Sequence, residues 1–417
     1  MPVSYGVNVT DQAGQTPPAR DGGGVVLFAV GTAPGTGTAA TNEPVLCRTL
    51  ADYYEAFGKA ADGESADGFT LDVLARVYLG RYRAAPAVFV NVYVPATHVG
   101  GPSDVGADDV AGADDGAGGR TGVEVVEEVF TATGLVPSLL AAPGFGHEPA
   151  VRAALRTKAA SHSRSFRAHA LLDVAPDVDN AAAAVAAKAT AGDAGAPLND
   201  PHATLCWPQP RRLNADKTFT AEPMSAHVAG AIGRAAAENG GVPLRSPSNT
   251  DLLAADLSVT LSLQDVDLLR DAGIVTAQRF GPGGFRLAGN RTTAYVNGEA
   301  TAESAEEALR DSFIADRMVA DHVANRIVLD ALELVDGPVS AALVDQVLAR
   351  ASRLGNALKA SGATLGFRAS FESADNPAAQ LADGRVVFRV AFLPPPPMER
   401  VDVLLSVDLG YLSNLFA

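Results

Sequence analysis

The sequence predicts a multidomain α/β protein, and three observations carry that reading. Between residues 25 and 199, short apolar runs alternate with helix-like segments, the pattern of strands paired at least partly in parallel under a cover of helices. At 417 residues the chain exceeds what one core usually serves, so two or three domains are expected. Isolated alternating strands stand at both extremes, each set apart from the rest by a polar or proline-rich connector.

At the start, Val3, Tyr5, Val7 and Val9 alternate with Ser4, Gly6, Asn8 and Thr10, and residues 11–24, with Pro17, Pro18 and three glycines, read as a linker. Strands follow near residues 25–30, 87–94, 135–141 and 167–173, with helices near 69–82, 124–133, 149–161 and 178–190. Residues 100–119 are rich in Gly, Asp and Ala and are expected to form a solvated surface loop. A Pro-rich strand region at 201–210 leads to a helix of small residues at 224–238, stopped by Gly240 and Gly241. The turn-rich stretch from there to residue 300 yields no topology.

The last third is more regular. Phe313, Ala320, Val323, Ala324, Ile327 and Ala331 share one face of a helix over residues 306–335, with Asp311, His322, Arg326 and Glu333 opposite. Pro338 opens a second helix, with Leu343, Val347, Leu354 and Leu358 turned inward and Gly362 as its stop. A hairpin follows, carrying Leu365, Phe367, Ala369 and Phe371 on one strand and Val386, Phe388, Val390 and Phe392 on the other; its loop holds Asn376, Pro377, Asp383 and Gly384. Four prolines, Pro394 to Pro397, then separate a last alternating strand bearing Val401, Val403, Leu405 and Val407.

Composition narrows the function classes. With 47% hydrophobic and 19% charged residues the chain is globular. A net charge of −16 and a pI near 4.8 argue against nucleic acid or an anionic membrane as partner. Cys47 and Cys206 are too few for a disulfide framework, which fits assembly in a reducing cytoplasm. Residues 1–14 lack the basic and apolar regions of a signal peptide, and no run is long enough for a membrane span.

No P-loop, dinucleotide fingerprint, nucleophile elbow or His-Glu-x-x-His pair occurs, so no catalytic residue and no cofactor is predicted. His202 and Cys206 are ligand types four apart, but two ligands do not make a metal site, and a packed His beside a buried Cys is the expectation. Asp108, Asp109, Asp114 and Asp115 lack the spacing of a calcium loop and read as solvated. Arg350, Arg353 and Lys359 either face an acidic partner or offset a helix dipole.

Several strings resemble the tail sheath family of contractile phages of the P2-like type. They are Asn199-Asp200-Pro201-His202-Ala203 with Trp207-Pro208, Ser225-Ala226-His227-Val228-Ala229-Gly230 leading to Glu238-Asn239-Gly240-Gly241-Val242-Pro243, and Arg245-Ser246-Pro247-Ser248-Asn249. Leu269-Arg270-Asp271-Ala272-Gly273-Ile274, Gly283-Gly284-Phe285-Arg286-Leu287 with Gly289-Asn290-Arg291-Thr292, and Tyr411-Leu412-Ser413-Asn414-Leu415-Phe416 complete the set. The chain departs from the family at Phe285 and Ala288, where an aromatic such as Trp is common, and in the Asp-rich stretch, which reads as an insertion.

The resemblance implies a discontinuous inner α+β domain with an inserted outer α/β domain. The arm and linker would be residues 1–24, the outer domain 25–300, the inner tube-facing domain 301–393 and the C-terminal arm 394–417. It further implies hexameric rings stacked helically around an inner tail tube protein, with baseplate and tail terminator proteins as further partners, in a virion tail or injection particle. Arg350, Arg353 and Lys359 would be candidates for tube contact. A non-viral contractile injection system is an alternative setting, and an α/β hydrolase-like enzyme the alternative class.

The residues support polymerisation on their own terms. A two-stranded hairpin is marginal alone, and four prolines favour an extended run that does not turn Val401 straight back beside Phe392. Strands carrying Val3, Tyr5, Val7, Val9, Val401, Val403, Leu405 and Val407 are therefore expected to exchange between subunits. They would pair with a neighbour's hairpin at Phe367, Phe371, Val386, Phe388 and Val390.

Overall fold

The computed structural model describes residues 24–59, 68–296, 298–409 and 411; the strand expected at Val3, Tyr5, Val7 and Val9 lies outside the described residues. The chain builds β1 (Leu27–Gly31), β2 (Val45–Cys47), α1 (Leu50–Phe57), α2 (Thr70–Ala75) and β3 (Ala87–Asn91). It continues through α3 (Ala107–Ala111), α4 (Val126–Thr133), β4 (Leu139–Ala141), α5 (Pro149–Ala160), β5 (His169–Asp173), α6 (Ala181–Lys188) and β6 (Ala203–Cys206). Next come β7 (Pro210–Leu213), β8 (Phe219–Ala221), α7 (Met224–Glu238), β9 (Asp251–Leu252), β10 (Asp256–Leu257), α8 (Leu263–Asp271), β11 (Ile274–Arg279) and β12 (Phe285–Ala288).

These strands form a nine-stranded sheet of order β2-β3-β1-β4-β5-β6-β11-β12-β9, with β7, β8 and β10 in a small sheet of their own. From β3 to β11 every neighbouring pair is parallel, and β2, β12 and β9 add antiparallel edges. Because helices cover both faces, β1, β3 and β5 are buried at every residue, which explains their unbroken apolar runs. Leu27, Ala29, Phe89, Leu139 and Leu171 meet α1, α2 and α7, while Phe28, Val30, Val88, Leu140 and Leu172 meet α4, α5, α6 and α8. The small residues of α7 allow close approach: a Cβ added at Gly230 would stand 2.5 Å from the Tyr82 ring, and one at Gly233 2.7 Å from the Tyr78 hydroxyl.

Two expectations need correction here. The Asp-rich stretch is not a purely solvated loop, because Val105 and Val110 are buried in the core and α3 packs on α5. Its acids act as turn and cap acceptors: Asp109 takes the Gly106 amide at 2.9 Å, Asp115 the Ala117 and Gly119 amides at 2.8 Å, and Asp114 pairs with Arg120 at 3.0 Å. The second concerns the last third, which holds β13 (Tyr295–Val296), β14 (Glu299–Ala300), α9 (Ala305–Ser312), α10 (Ile314–Leu332), α11 (Ala341–Ala360), β15 (Gly366–Ser370), α12 (Ala378–Ala382) and β16 (Arg389–Leu393). The single helix expected over 306–335 is broken at Phe313, which is extended (φ −103°, ψ 131°). The backbone there bonds sideways: Thr292 N donates to Ser312 O and Ile314 N to Asn290 O, both at 2.9 Å.

The next helix starts three residues later than Pro338, because Ser340 caps it by accepting the Leu343 amide at 3.2 Å. Gly362, at φ +78°, follows its end. The first half of α10 belongs to the main body, with Ile314 and Met318 in the same core as the sheet. Another face of the same helix belongs to a small third core, where Val319 and Val323 meet Leu358 and Ala363.

Candidate assembly surfaces

The hairpin exists, with narrower limits than expected. β15 and β16 pair antiparallel in the register Phe367 opposite Phe392 and Ala369 opposite Val390. Phe371, Val386 and Phe388 lie beyond the strands, where the Phe371 and Phe388 rings meet at 5.9 Å between centroids. The ladder stops there because Asn376 takes over: its Oδ1 accepts the Val387 amide at 2.7 Å and its Nδ2 donates to Glu372 O and Val387 O. The rest of the connection folds into α12.

β15 lies on α11 at unusually close range. A Cβ at Gly355 would stand 2.2 Å from Phe367 Cδ1 and 2.9 Å from its Cβ, so the whole strand would have to move. Gly355→Ala is expected to cost about 1–3 kcal/mol by overpacking and to unseat the hairpin before the main sheet melts. Hydrogen exchange that slows or stays unchanged at residues 366–370 in the variant would refute this.

Among the described residues no third strand pairs with the hairpin, so each strand keeps one open edge. Between the hairpin and the helices lies an apolar groove of about 530 Å³, lined by Ile327, Ala331, Leu334, Val347, Phe388 and Val390 among others. Beyond the prolines, residues 401–408 adopt no strand within the chain, and their apolar side chains point into solvent, Leu404 and Leu405 at 97% and 94% exposure. A complementary pair of surfaces, an open-edged sheet and an unpaired apolar segment, thus sits on one chain.

Arg350 is engaged within the chain. Its Nη1 donates to Asp330 O at 2.9 Å, near the end of α10, and pairs with Glu333 at 2.8 Å. Arg353 and Lys359 are exposed on α11.

Of the remaining candidates, Cys206 is buried in the body and His202 half-buried. His202 Nδ1 stands 3.3 Å from Asp321 Oδ2, and Cys206 is fully buried in the sheet, its thiol pushed well above its ordinary pKa by burial and by nearby Asp173. Among the described residues no group of three or more His, Cys, Asp or Glu could hold a metal ion. Ser225 gives its hydroxyl and amide to Asp173, at 2.5 and 2.8 Å, while His227 Nε2 pairs with Glu222 at 3.1 Å; Ser225, His227 and Glu222 are all buried. This serine and histidine therefore serve different carboxylates.

Sequence reasoning missed the polar ties that run between elements. Glu222 receives Arg81, Arg212 and His227, and despite burial the bonds from His227 and Arg81 hold its carboxyl at about 2. Arg317 bridges Asp311 and Asp321, at 2.8 and 2.6 Å, and Asn325 forms two hydrogen bonds with the Arg167 backbone. The available signal was the resemblance strings themselves, since His202, Ser225, His227 and Arg291 all fall in them.

The fold is that of contractile-sheath subunits. The chain superposes on a chain of the anti-feeding prophage baseplate with a TM-score of 0.68, at 18% identity, covering 98% of this chain and 100% of the other. For the contracted helical sheath of the same particle the values are 0.65, 17%, 98% and 100%, and for the contracted sheath complex of an extracellular contractile injection system, PVC, 0.63, 15%, 99% and 99%.

In sequence, the chain is a relative of phage tail sheath proteins. It is 28% identical over 322 residues to the tail sheath protein of Burkholderia phage BcepMu, covering 75% of this chain and 64% of that one. It is also 28% identical over 427 residues to a Pseudomonas aeruginosa prophage protein described as a major tail sheath protein, covering 100% and 99%. The tail sheath protein of Escherichia phage P2 is 27% identical over 157 residues, covering 36% of this chain and 35% of that one. No family model matches. The resemblance carried by the strings thus extends over the whole chain.

Proposed function

We propose that this chain is the structural subunit of a contractile tail sheath, polymerising helically around an inner tube and contracting to drive that tube through a target envelope. The observation that carries this reading is the end-to-end similarity to a phage-type tail sheath protein, 100% of this chain against 99% of the relative. The subunit acts by assembly rather than catalysis. Hexameric rings stack through heterologous contacts that do not close, which generates a helix. Contraction then follows when a baseplate signal lets the lattice move to larger or better-packed interfaces, without nucleotide.

The linkage between subunits is strand exchange. The segment bearing Val401, Val403, Leu405 and Val407, and that bearing Val3, Tyr5, Val7 and Val9, add to the open edges of a neighbour's hairpin at Phe367, Phe371, Val386, Phe388 and Val390. Backbone hydrogen bonds hold such a joint while the bodies move. Arg353 and Lys359, with Arg350 on the same helix, are assigned to the tube side, and baseplate and terminator proteins to the ends of the polymer. Assembly takes place in the host cytoplasm and the product resides in the particle. The likeness to the two injection-particle sheaths favours one second setting, a non-viral contractile injection system. Electron microscopy of the purified chain tests the reading: tubes or cogwheel rings are expected, and uniform small particles under all assembly conditions would overturn it.

A further inference from the structure

Among the described residues, a two-bond ion pair ties the C-terminal arm to the main body. Glu399 lies just past the proline run and just before the exposed apolar row, and Arg291 holds its carboxylate through two bonds, Nε to Oε1 at 3.1 Å and Nη2 to Oε2 at 2.5 Å. The guanidinium is itself fixed. It stacks 3.7 Å from the Phe313 ring centroid and 4.2 Å from that of Tyr295, and its Nη1 donates to Ser312 Oγ at 2.8 Å. Phe313 and Ser312 are the residues at which the α9 to α10 helix breaks, so the break creates the seat for this arginine.

The tether has two stiff ends. Thr364 Oγ1 donates to Leu393 O at 2.9 Å, which fastens the arm's root to the hairpin. From there a proline-rich run of roughly 3.1 Å per residue reaches Glu399. Residues 401–409 leave from that anchor.

We propose that the Arg291–Glu399 pair is a releasable clamp that sets the direction in which the C-terminal arm leaves the subunit. A bidentate guanidinium–carboxylate pair fixes orientation as well as distance, which a single charge contact does not. The clamp is releasable because the Glu399 side chain is 32% exposed, within reach of water and salt, while Arg291 is 14% exposed and stays in its seat. Aiming the arm before capture reduces the entropy lost when a neighbour binds it. Release frees the same arm to swing without leaving the neighbour. The biological use of the clamp rests on the sheath reading, but its existence does not.

The test uses the full chain with spin labels at Leu405→Cys and Ala160→Cys, the native Cys47 and Cys206 being buried. In the free subunit the distance distribution between labels is expected to be narrow, to broaden in Glu399→Gln and Arg291→Lys, and to broaden in the parent at high salt but not further in Glu399→Gln. The melting midpoint of Glu399→Gln should match the parent. A Glu399→Gln distribution as narrow as the parent's, or a parent distribution already broad at low salt, overturns the clamp. These distances are read without polymer, so a chain that forms no tubes defeats the sheath reading alone, and tubes with unchanged distances defeat the clamp alone.

Discussion

Removing residues 401–417 is expected to abolish long tubes and to leave the melting of the free subunit unchanged. The apolar side chains at 401–409 face solvent in the isolated chain, so the body gains little from them. The expected stability change is within about 0.5 kcal/mol, as for surface substitutions elsewhere. In the polymer each captured Val or Leu contributes roughly 1.5–3 kcal/mol of burial, offset in part by the cost of ordering the arm. Loss of that joint leaves an open edge on every hairpin. Leu405→Asp should act in the same direction, since it places a charge on a side that must become buried. Scanning calorimetry of the subunit and microscopy of the assembled material decide the matter together. Tubes of normal length from the truncated chain would end this account of the linkage.

Glu222→Gln is expected to destabilise the subunit by about 3 kcal/mol, because it removes the buried carboxylate that Arg81, Arg212 and the buried His227 share. The pH dependence gives a second signature. The folded pKa of Glu222 is about 2, below the ordinary 4.5, so its contribution is fully present above pH 4.5 and is lost as pH falls toward 2. The displacement corresponds to about 3 kcal/mol at roughly 1.36 kcal/mol per pH unit. Burial lowers His162 and His322 to about 4 and His169 to about 3, so stability also falls as pH drops from 6.5 toward those values. Asp173 works oppositely: burial raises it to about 6, so its contribution is lost as pH rises from 3.8 through 6. Urea midpoints of parent and variant at pH 7, 4 and 3 separate these effects, since the gap between the two proteins should narrow only below pH 4.5. A constant gap across that range would contradict the assignment.

Much of the architecture is legible in the sequence because burial on both faces writes itself as unbroken apolar runs. The strands at 25–30, 87–94 and 167–173 and the helices at 149–161 and 224–238 correspond to β1, β3, β5, α5 and α7 within a few residues. The stretch from 240 to 300 gives no topology because its strands are as short as the two residues of β9 and β10, and pair with segments far away in sequence. No local period records such pairing. The break at Phe313 was hidden for the same reason: its cause is Asn290 and Thr292, not the helix's own composition. The Asp-rich stretch misled because composition counts Val105 and Val110 as two residues among twenty, whereas packing makes them its anchors. Of the assembly surface, the hairpin and the final apolar row were readable from alternation, but the groove between the hairpin and the helices was not, since it is formed by several elements at once.

The 19 residues of α10 extend about 28 Å, and two of its faces are committed: Ile314 and Met318 pack in the core of the sheet and Asn325 bonds the Arg167 backbone, while Val319 and Val323 pack in the small core against which the hairpin rests. Such a helix acts as an axle. A turn imposed on the main body is expected to carry the hairpin with it, because α10 packs in both cores. In the proposed polymer, compliance is then expected in the connecting arms, with the subunit turning as one rigid cog.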